Sequence, residues 1–316
     1  MKGLPLRLSL LFLLCILVFI LSLVVGPTGL PADSLILWQI RLPRSLLGFL
    51  AGSSLGIAGA SLQGLLMNPL ADPYILGMSG GAALGAVVSI LFGLEKIAHG
   101  AGVPLTACLG AFLSLFLVIA LARRDKTIPV ETIILAGVVV GAFLWSLVTL
   151  LLSFSGEDAY RILLWLMGSL SNAEWRSVKL ALFPSLLGSV ALLFFWRELD
   201  VLGLGEEVAG YLGVQTDKAK LLIIIFASVA VAGAVSTCGI IGFVGLISPH
   251  IGRALFGYNH RVLLPASYLL GGILLLFSDT IAKTIIAPGE LPVGAITALL
   301  GAPFFAYLLH KRKSSF

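Results

Sequence analysis

Long apolar runs dominate this chain, and their lengths organise it more than any short periodicity does. Ten windows suit a helix that crosses a bilayer, which takes about 20 residues. They lie near 8–25, 44–66, 74–93, 101–121, 130–154, 177–196, 219–237, 240–257, 262–283 and 291–309. The seventh and eighth run together through Thr237–Cys238–Gly239, the least defined of the boundaries. Residues 155–176 make the longest polar connection; within it Ile162 to Met167 is too short to cross and is expected at the interface with Trp165 and Trp175. Leu8 to Val25 follows Lys2 and Arg7 as a signal peptide would, but it is too long for one and no small-x-small site follows. It reads as a first transmembrane helix that is retained.

One stretch breaks the oily pattern: LGLGEEVAGYLGV, Leu202 to Val214. Glu206 and Glu207 suit the positive end of a helix dipole, and Gly213 suits a left-handed cap. Leu204, Val208, Tyr211 and Leu212 recur at i, i+4, i+7 and i+8, which makes one apolar face. A helix this short cannot cross the membrane. Its face either rests on lipid headgroups or receives a soluble partner.

Composition changes the picture only by placing it in lipid. The 316 residues are 59% hydrophobic and 11% charged, against roughly 25% charged in soluble domains. This is the profile of an all-α, polytopic integral membrane protein, a single domain over residues 1–316. The net charge of +5 calls for no nucleic acid, because cytoplasmic loops of such proteins collect lysine and arginine. With the N-terminus inside, thirteen basic residues fall on the inner face and seven on the outer, Arg41, Arg44 and Lys283 among the latter. Both termini, and the Glu206 helix, are therefore expected in the cytoplasm.

A weak echo at an offset of 180 residues pairs Gly59 with Gly239, Leu66 with Leu246, Pro69 with Pro249 and Gly77 with Gly257. Five helices separate the copies, so the second would be inverted, as in many transporters. Gly48, Gly52, Gly56 and Gly59 form a small-residue stripe that predicts close helix packing and a tight bundle. Asn68-Pro-Leu-Ala-Asp-Pro73 is expected to end the second helix, and Pro249–His250 to interrupt the eighth.

Candidate chemistry is sparse. Cys15, Cys108 and Cys238 have no paired spacing, the four histidines are scattered, and no phosphate loop or hydrolase motif occurs. Neither a resident cofactor nor a bound metal is expected, and the chain does not read as an enzyme. Ion-coupled transport wants ionisable groups at depth. Asp279 is the main one, with Lys283 at i+4 to neutralise it. An ion-gradient-driven secondary transporter stays the alternative to a permease powered from outside.

Four blocks carry a family resemblance. RLPRSLLGFLAGSSLGIAGASLQGLLMNPLADPYILG (Arg41 to Gly77) resembles the signature region of the FecCD family, permease subunits of bacterial ABC importers for iron–siderophore complexes, haem and cobalamin. LGEEVAGYLGV, GIIGFVGLISPHIGRALFGYNHRVLLP (Gly239 to Pro265) and ELPVGAITALLGAPFF (Glu290 to Phe305) are similar to later family blocks, in order. The resemblance implies about ten transmembrane helices in a bacterial or archaeal inner membrane. It implies a homodimer with the path between the copies, two cytoplasmic ATPase subunits holding ATP and Mg, and an extracytoplasmic substrate-binding protein. It assigns ATPase coupling to Leu204, Glu206, Glu207, Val208, Tyr211, Leu212 and Gly213. It assigns binding-protein docking to Arg41, Arg44 and Lys283, and an inner gate to the region of Val130 and Glu131. The ligand itself is not readable from this chain.

Overall fold

The computed structural model describes residues 4–26, 33–123, 127 and 129–313. Among these the architecture is all-helical. In order the helices are α1 (Leu4–Val24), α2 (Ser34–Leu65), α3 (Met78–Leu91), α4 (Gly102–Ala122), α5 (Val130–Ser153), α6 (Ala159–Leu166) and α7 (Trp175–Phe194). There follow α8 (Trp196–Leu202), α9 (Glu206–Tyr211), α10 (Thr216–Cys238), α11 (Val244–Phe256), α12 (His260–Ala282) and α13 (Val293–Lys313). Each of the ten apolar windows contains a helix. Among the described residues seven of them, α1, α2, α4, α5, α7, α10 and α12, are long and apolar enough to cross a membrane. Of the other three, α3 has 14 residues and α11 has 13, and the apolar stretch of α13 is described over Val293–Leu308.

The axis of the molecule is α2. Of its spanning window 89% is buried, against 17% for α1, which turns most of its large side chains outward. The glycine stripe explains the difference. A Cβ at Gly52 would strike the Gly271 carbonyl oxygen, one at Gly56 the Ser267 carbonyl, and one at Gly59 the Gly245 carbonyl. Only glycine lets the α2 backbone lie this close to α12 and α11. The α2–α12 pair is antiparallel: Arg44 meets Asp279 near one end, and Gly64 meets His260 near the other. At the Arg44 end α2 contains a π-helical turn, Leu37–Arg41, just before Pro43. A widened turn makes room for a proline ring that would crowd the preceding turn of a regular helix.

The order of helix lengths repeats. The regular part of α2 (Leu42–Leu65), then α3, α4 and α5, run 24, 14, 21 and 24 residues. The helices α10 to α13 run 23, 13, 23 and 21. The residues paired at an offset of 180 do not share local structure: Gly59 lies inside α2, whereas Gly239 follows α10 with φ of 71°. The corresponding helices start fewer than 180 residues apart, by an amount that varies along the chain. The seventh and eighth windows are separated by residues 239–243, which are apolar but not helical. Gly239 and Phe243 both have positive φ there, which an α-helix does not accommodate.

Candidate functional site

At the Gly64–His260 end the chain leaves α7 and runs through two short helices before re-entering the bundle as α10. Leu199 and Leu202 bury one face of α8. The turn between α8 and α9 uses Gly205 at φ 108°, ψ 147°, a conformation essentially confined to glycine. The end of α9 is a Schellman cap. Val214 N donates to Ala209 O and Gly213 N to Gly210 O, both at 3.0 Å, with Gly213 at φ 86°. Ala209 is the buried residue of α9. Leu204, Val208, Tyr211 and Leu212 are 64, 43, 92 and 61% exposed, so the apolar face read from the sequence is turned outward. Glu206 and Glu207 stand in the first turn, as expected, and both are exposed.

What holds α9 in place is a residue the sequence reading left among the inner-face cations. The Lys220 side chain, 2% exposed, donates from Nζ to Glu206 Oε2 at 2.8 Å and lies 3.1 Å from Asp217 Oδ1. The Asp217–Lys220 spacing of i, i+3 in the first turn of α10 was the one visible signal. Glu206 therefore ties α9 to α10 as well as favouring the helix dipole.

Beside this hairpin lies a cavity of about 1040 Å³ between the end of α2, the Met67–Leu70 turn, α8, α11 and α13. Its polar wall is a set of internal ties. His260 donates its backbone N–H to Asp200 Oδ1 at 2.9 Å, and its Nδ1 lies 2.7 Å from the same oxygen, joining α8 to α12. Arg253 Nη2 donates to Gln63 Oε1. Gln63 Nε2 donates to Ala71 O at 3.2 Å and Gly245 O at 3.3 Å. The second of these corrects the expectation that Pro249 interrupts its helix. Pro249 sits inside a continuous α11, and the Gly245 carbonyl that its missing N–H would have served accepts from Gln63. The Asn68–Pro73 break is as expected: Asn68 Oδ1 accepts from Leu70 N and Asp72 Oδ1 from Tyr74 N, each at 2.9 Å.

The opposite end gathers the three residues assigned to docking, and it buries them. Arg41, Arg44 and Lys283 are 6, 8 and 4% exposed. Arg44 Nε donates to both oxygens of Asp279 at 3.1 and 3.0 Å, and Nη2 donates to Oδ1 at 2.8 Å. Its Nη1 donates to Glu290 Oε1, also at 2.8 Å. Arg41 Nη1 donates to the Leu23 and Val24 carbonyls at 3.0 and 2.6 Å, and Lys283 Nζ to the Ser22 carbonyl at 2.7 Å. These carbonyls are the open end of α1, where cations are favoured. Lys283 is 3.9 Å from Asp279, so Arg44 and not Lys283 is the close partner of that carboxylate. Glu290 was not singled out from the sequence.

Val130 and Glu131 open α5 behind Pro129, Val130 partly buried and Glu131 exposed in the first turn. Arg124, a cation seven residues before Glu131, lies outside the described residues. Among the described residues no group of three or more His, Cys, Asp or Glu side chains is placed to hold a metal ion.

Comparison with known proteins gives this geometry its context. The model of the FecCD transport family matches residues 9–311. The cobalamin import system permease protein BtuC of Halobacterium salinarum is 46% identical over 90% of this chain and 76% of its own length. The Fe(3+)-citrate import system permease protein YfmE of Bacillus subtilis is 41% identical over 87% and 81%. The hemin transport system permease protein HmuU of Yersinia pestis is 38% identical over 87% and 83%. A solved structure described as an inward-facing conformation of a metal-chelate type ABC transporter superposes with a TM-score of 0.89 at 34% identity, covering 97% of this chain and 99% of that one. Coverage of nearly the whole chain leaves no segment of the bundle to a different fold, and this multi-pass membrane protein belongs to the FecCD transport family.

Proposed function

We propose that the chain is the permease subunit of an ATP-driven importer that brings a bulky metal chelate, such as a cobalamin, haem or ferric siderophore, into the cytoplasm by alternating access. The observation that carries the reading is the bare apolar face of α9, held on the bundle by the buried Lys220. A soluble ATPase that grips this face moves α9 as a rigid body and, through α8 and α10, biases the bundle between its open states. The relatives' names supply the cargo class: import systems for cobalamin, hemin and ferric citrate.

In this reading two copies enclose the path, two ATPase subunits carrying ATP and Mg sit at the α9 end, and a substrate-binding protein docks at the Arg44 end. Both termini are cytoplasmic. All ten windows cross, although α3 and α11 span only roughly 20 Å at 1.5 Å per residue. The irregular segments 66–77 and 239–243 complete those two crossings. Non-helical backbone is tolerated at depth where protein covers it. The two segments cover each other: Ile241 N donates to Tyr74 Oη at 3.3 Å, and a Cβ at Gly245 would meet the Pro73 ring. Because Arg41, Arg44 and Lys283 already serve internal acceptors, they shape the docking surface from beneath, and Glu290, partly exposed, is the rim of it.

The test is uptake in sealed vesicles. With its ATPase, binding protein and ATP, the chain is expected to accumulate the chelate after ion gradients are collapsed. Accumulation by the chain alone, or accumulation that follows an imposed ion gradient and ignores ATP, would replace this reading with the secondary-transporter one.

A further inference from the structure

We propose that the α7–α8 junction holds one anionic glycerophospholipid, its phosphate between Arg197 and Arg261 and an acyl chain in the groove along α7. Two separate features lie next to each other along the chain there. The first is a groove of about 690 Å³ lined by Leu182, Phe183, Leu186, Val190 and Phe194 of α7, with Phe226 of α10 as its floor. The α7 residues follow a helical i, i+4 and i+3 pattern along one stripe, and all five are exposed. The stripe ends at Phe194, and the next residues turn into α8 at Trp196.

The second feature is cationic. The Arg197 guanidinium lies 4.9 Å from the centre of the Trp196 ring and that of Arg261 lies 5.6 Å from it, so one indole carries both. Among the described residues neither arginine has a carboxylate within ion-pair range, and both are exposed. Glu198, next in sequence, does not answer them: its Oε2 is buried and without a hydrogen bond. Two planar forks with unused N–H donors suit a phosphate diester, and stacking on the indole fixes their orientation. Tryptophan beside arginine at the end of a lipid-facing helix belongs at headgroup depth.

A lipid fits both features at once, whereas an acidic peptide would leave the groove unused. Arg197 is on α8 and Arg261 on α12, so the bound phosphate would join the helix leading to α9 to the one packed on α2. Which leaflet supplies the lipid rests on the orientation proposed above; the site itself does not.

Native mass spectrometry of the full chain, released from mixed phosphatidylglycerol and phosphatidylcholine micelles, tests this. The wild type is expected to retain one phosphatidylglycerol in preference to phosphatidylcholine by on the order of tenfold. Arg197→Gln with Arg261→Gln is expected to abolish the preference, and Arg197→Lys with Arg261→Lys to keep part of it. Val190→Trp, filling the groove, is expected to lower retention with the arginines intact, while Lys96→Gln, an exposed cation that does not line the groove, changes nothing. Glycerol phosphate without acyl chains is expected not to be retained. Equal retention of both lipids by the wild type, an unchanged preference in the double glutamine variant, or loss of it in Lys96→Gln would overturn the proposal. None of these readouts depends on transport, so a negative result removes the lipid site and leaves the importer reading standing.

Discussion

The two ends of the α2–α12 pair present opposite situations. At one end, residues of the type that recognise acidic partners are buried and already bonded: Arg44 to Asp279 and Glu290, Arg41 and Lys283 to the end of α1. At the other end, residues of the type that normally form cores stand bare on α9. Residue type therefore points the wrong way at both ends. A guanidinium in reach of a buried carboxylate is more stable paired inside the chain than left facing water, provided both are fully bonded. A six-residue helix has too little length to bury two faces, and Ala209 already fills the one against the bundle. The surface that lacks its partner is the greasy one.

The sharpest way to break this contrast is at α9. Leu204→Glu with Val208→Glu is expected to cut ATP-driven uptake at least tenfold while leaving thermal stability nearly unchanged, since exposed positions typically shift stability by about 0.5 kcal/mol or less. Uptake at the wild-type rate would show that the bare face carries nothing.

Next comes the buried end. Arg44→Ala leaves Asp279, whose side chain is 1% exposed, charged and without its main partner. Denaturation in detergent is expected to show a loss of about 3–5 kcal/mol. Arg44→Met with Asp279→Leu should recover most of it, because the pair is removed together. A single variant as stable as the wild type would mean that the cations are free for an external partner after all.

A smaller effect is expected at Lys220. Lys220→Ala should cost about 1 kcal/mol, the low end for a pair whose acids, Glu206 and Asp217, are themselves more than a third exposed. Its diagnostic reading is coupling: ATP hydrolysis continues while uptake per ATP falls, and Lys220→Arg restores it.

Much of this arrangement could be read from the chain because it is local. Window lengths placed a helix in each of the ten apolar runs, the Gly52 and Gly56 stripe announced the close approach to α12, and the spacing of Leu204, Val208, Tyr211 and Leu212 with Gly213 behind them described α9 nearly to its last hydrogen bond. Most of what could not be read is long-range. Arg44 finds Asp279 and Glu290 at separations of 235 and 246 residues, and Gln63 meets Arg253 at 190. No local pattern encodes such meetings, so exposure at Arg41, Arg44 and Lys283 was unreadable even though their grouping was not. The break at residues 239–243 was hidden for a different reason. Its side chains are as apolar as those of a helix, and only backbone dihedrals reveal that it is not one.

The central claim is that α9 is the handle through which an outside motor drives the bundle, and contact is its most direct test. The native cysteines are buried at Cys15 and Cys238 and half-buried at Cys108, none of them on α9, so a single Val208→Cys in a Cys108→Ser background places one reactive thiol there. Cross-linked in native membranes, that thiol is predicted to yield an adduct with the ATPase subunit whose amount changes when ATP is trapped. Adducts confined to lipid, with the ATPase present and active, would contradict the claim.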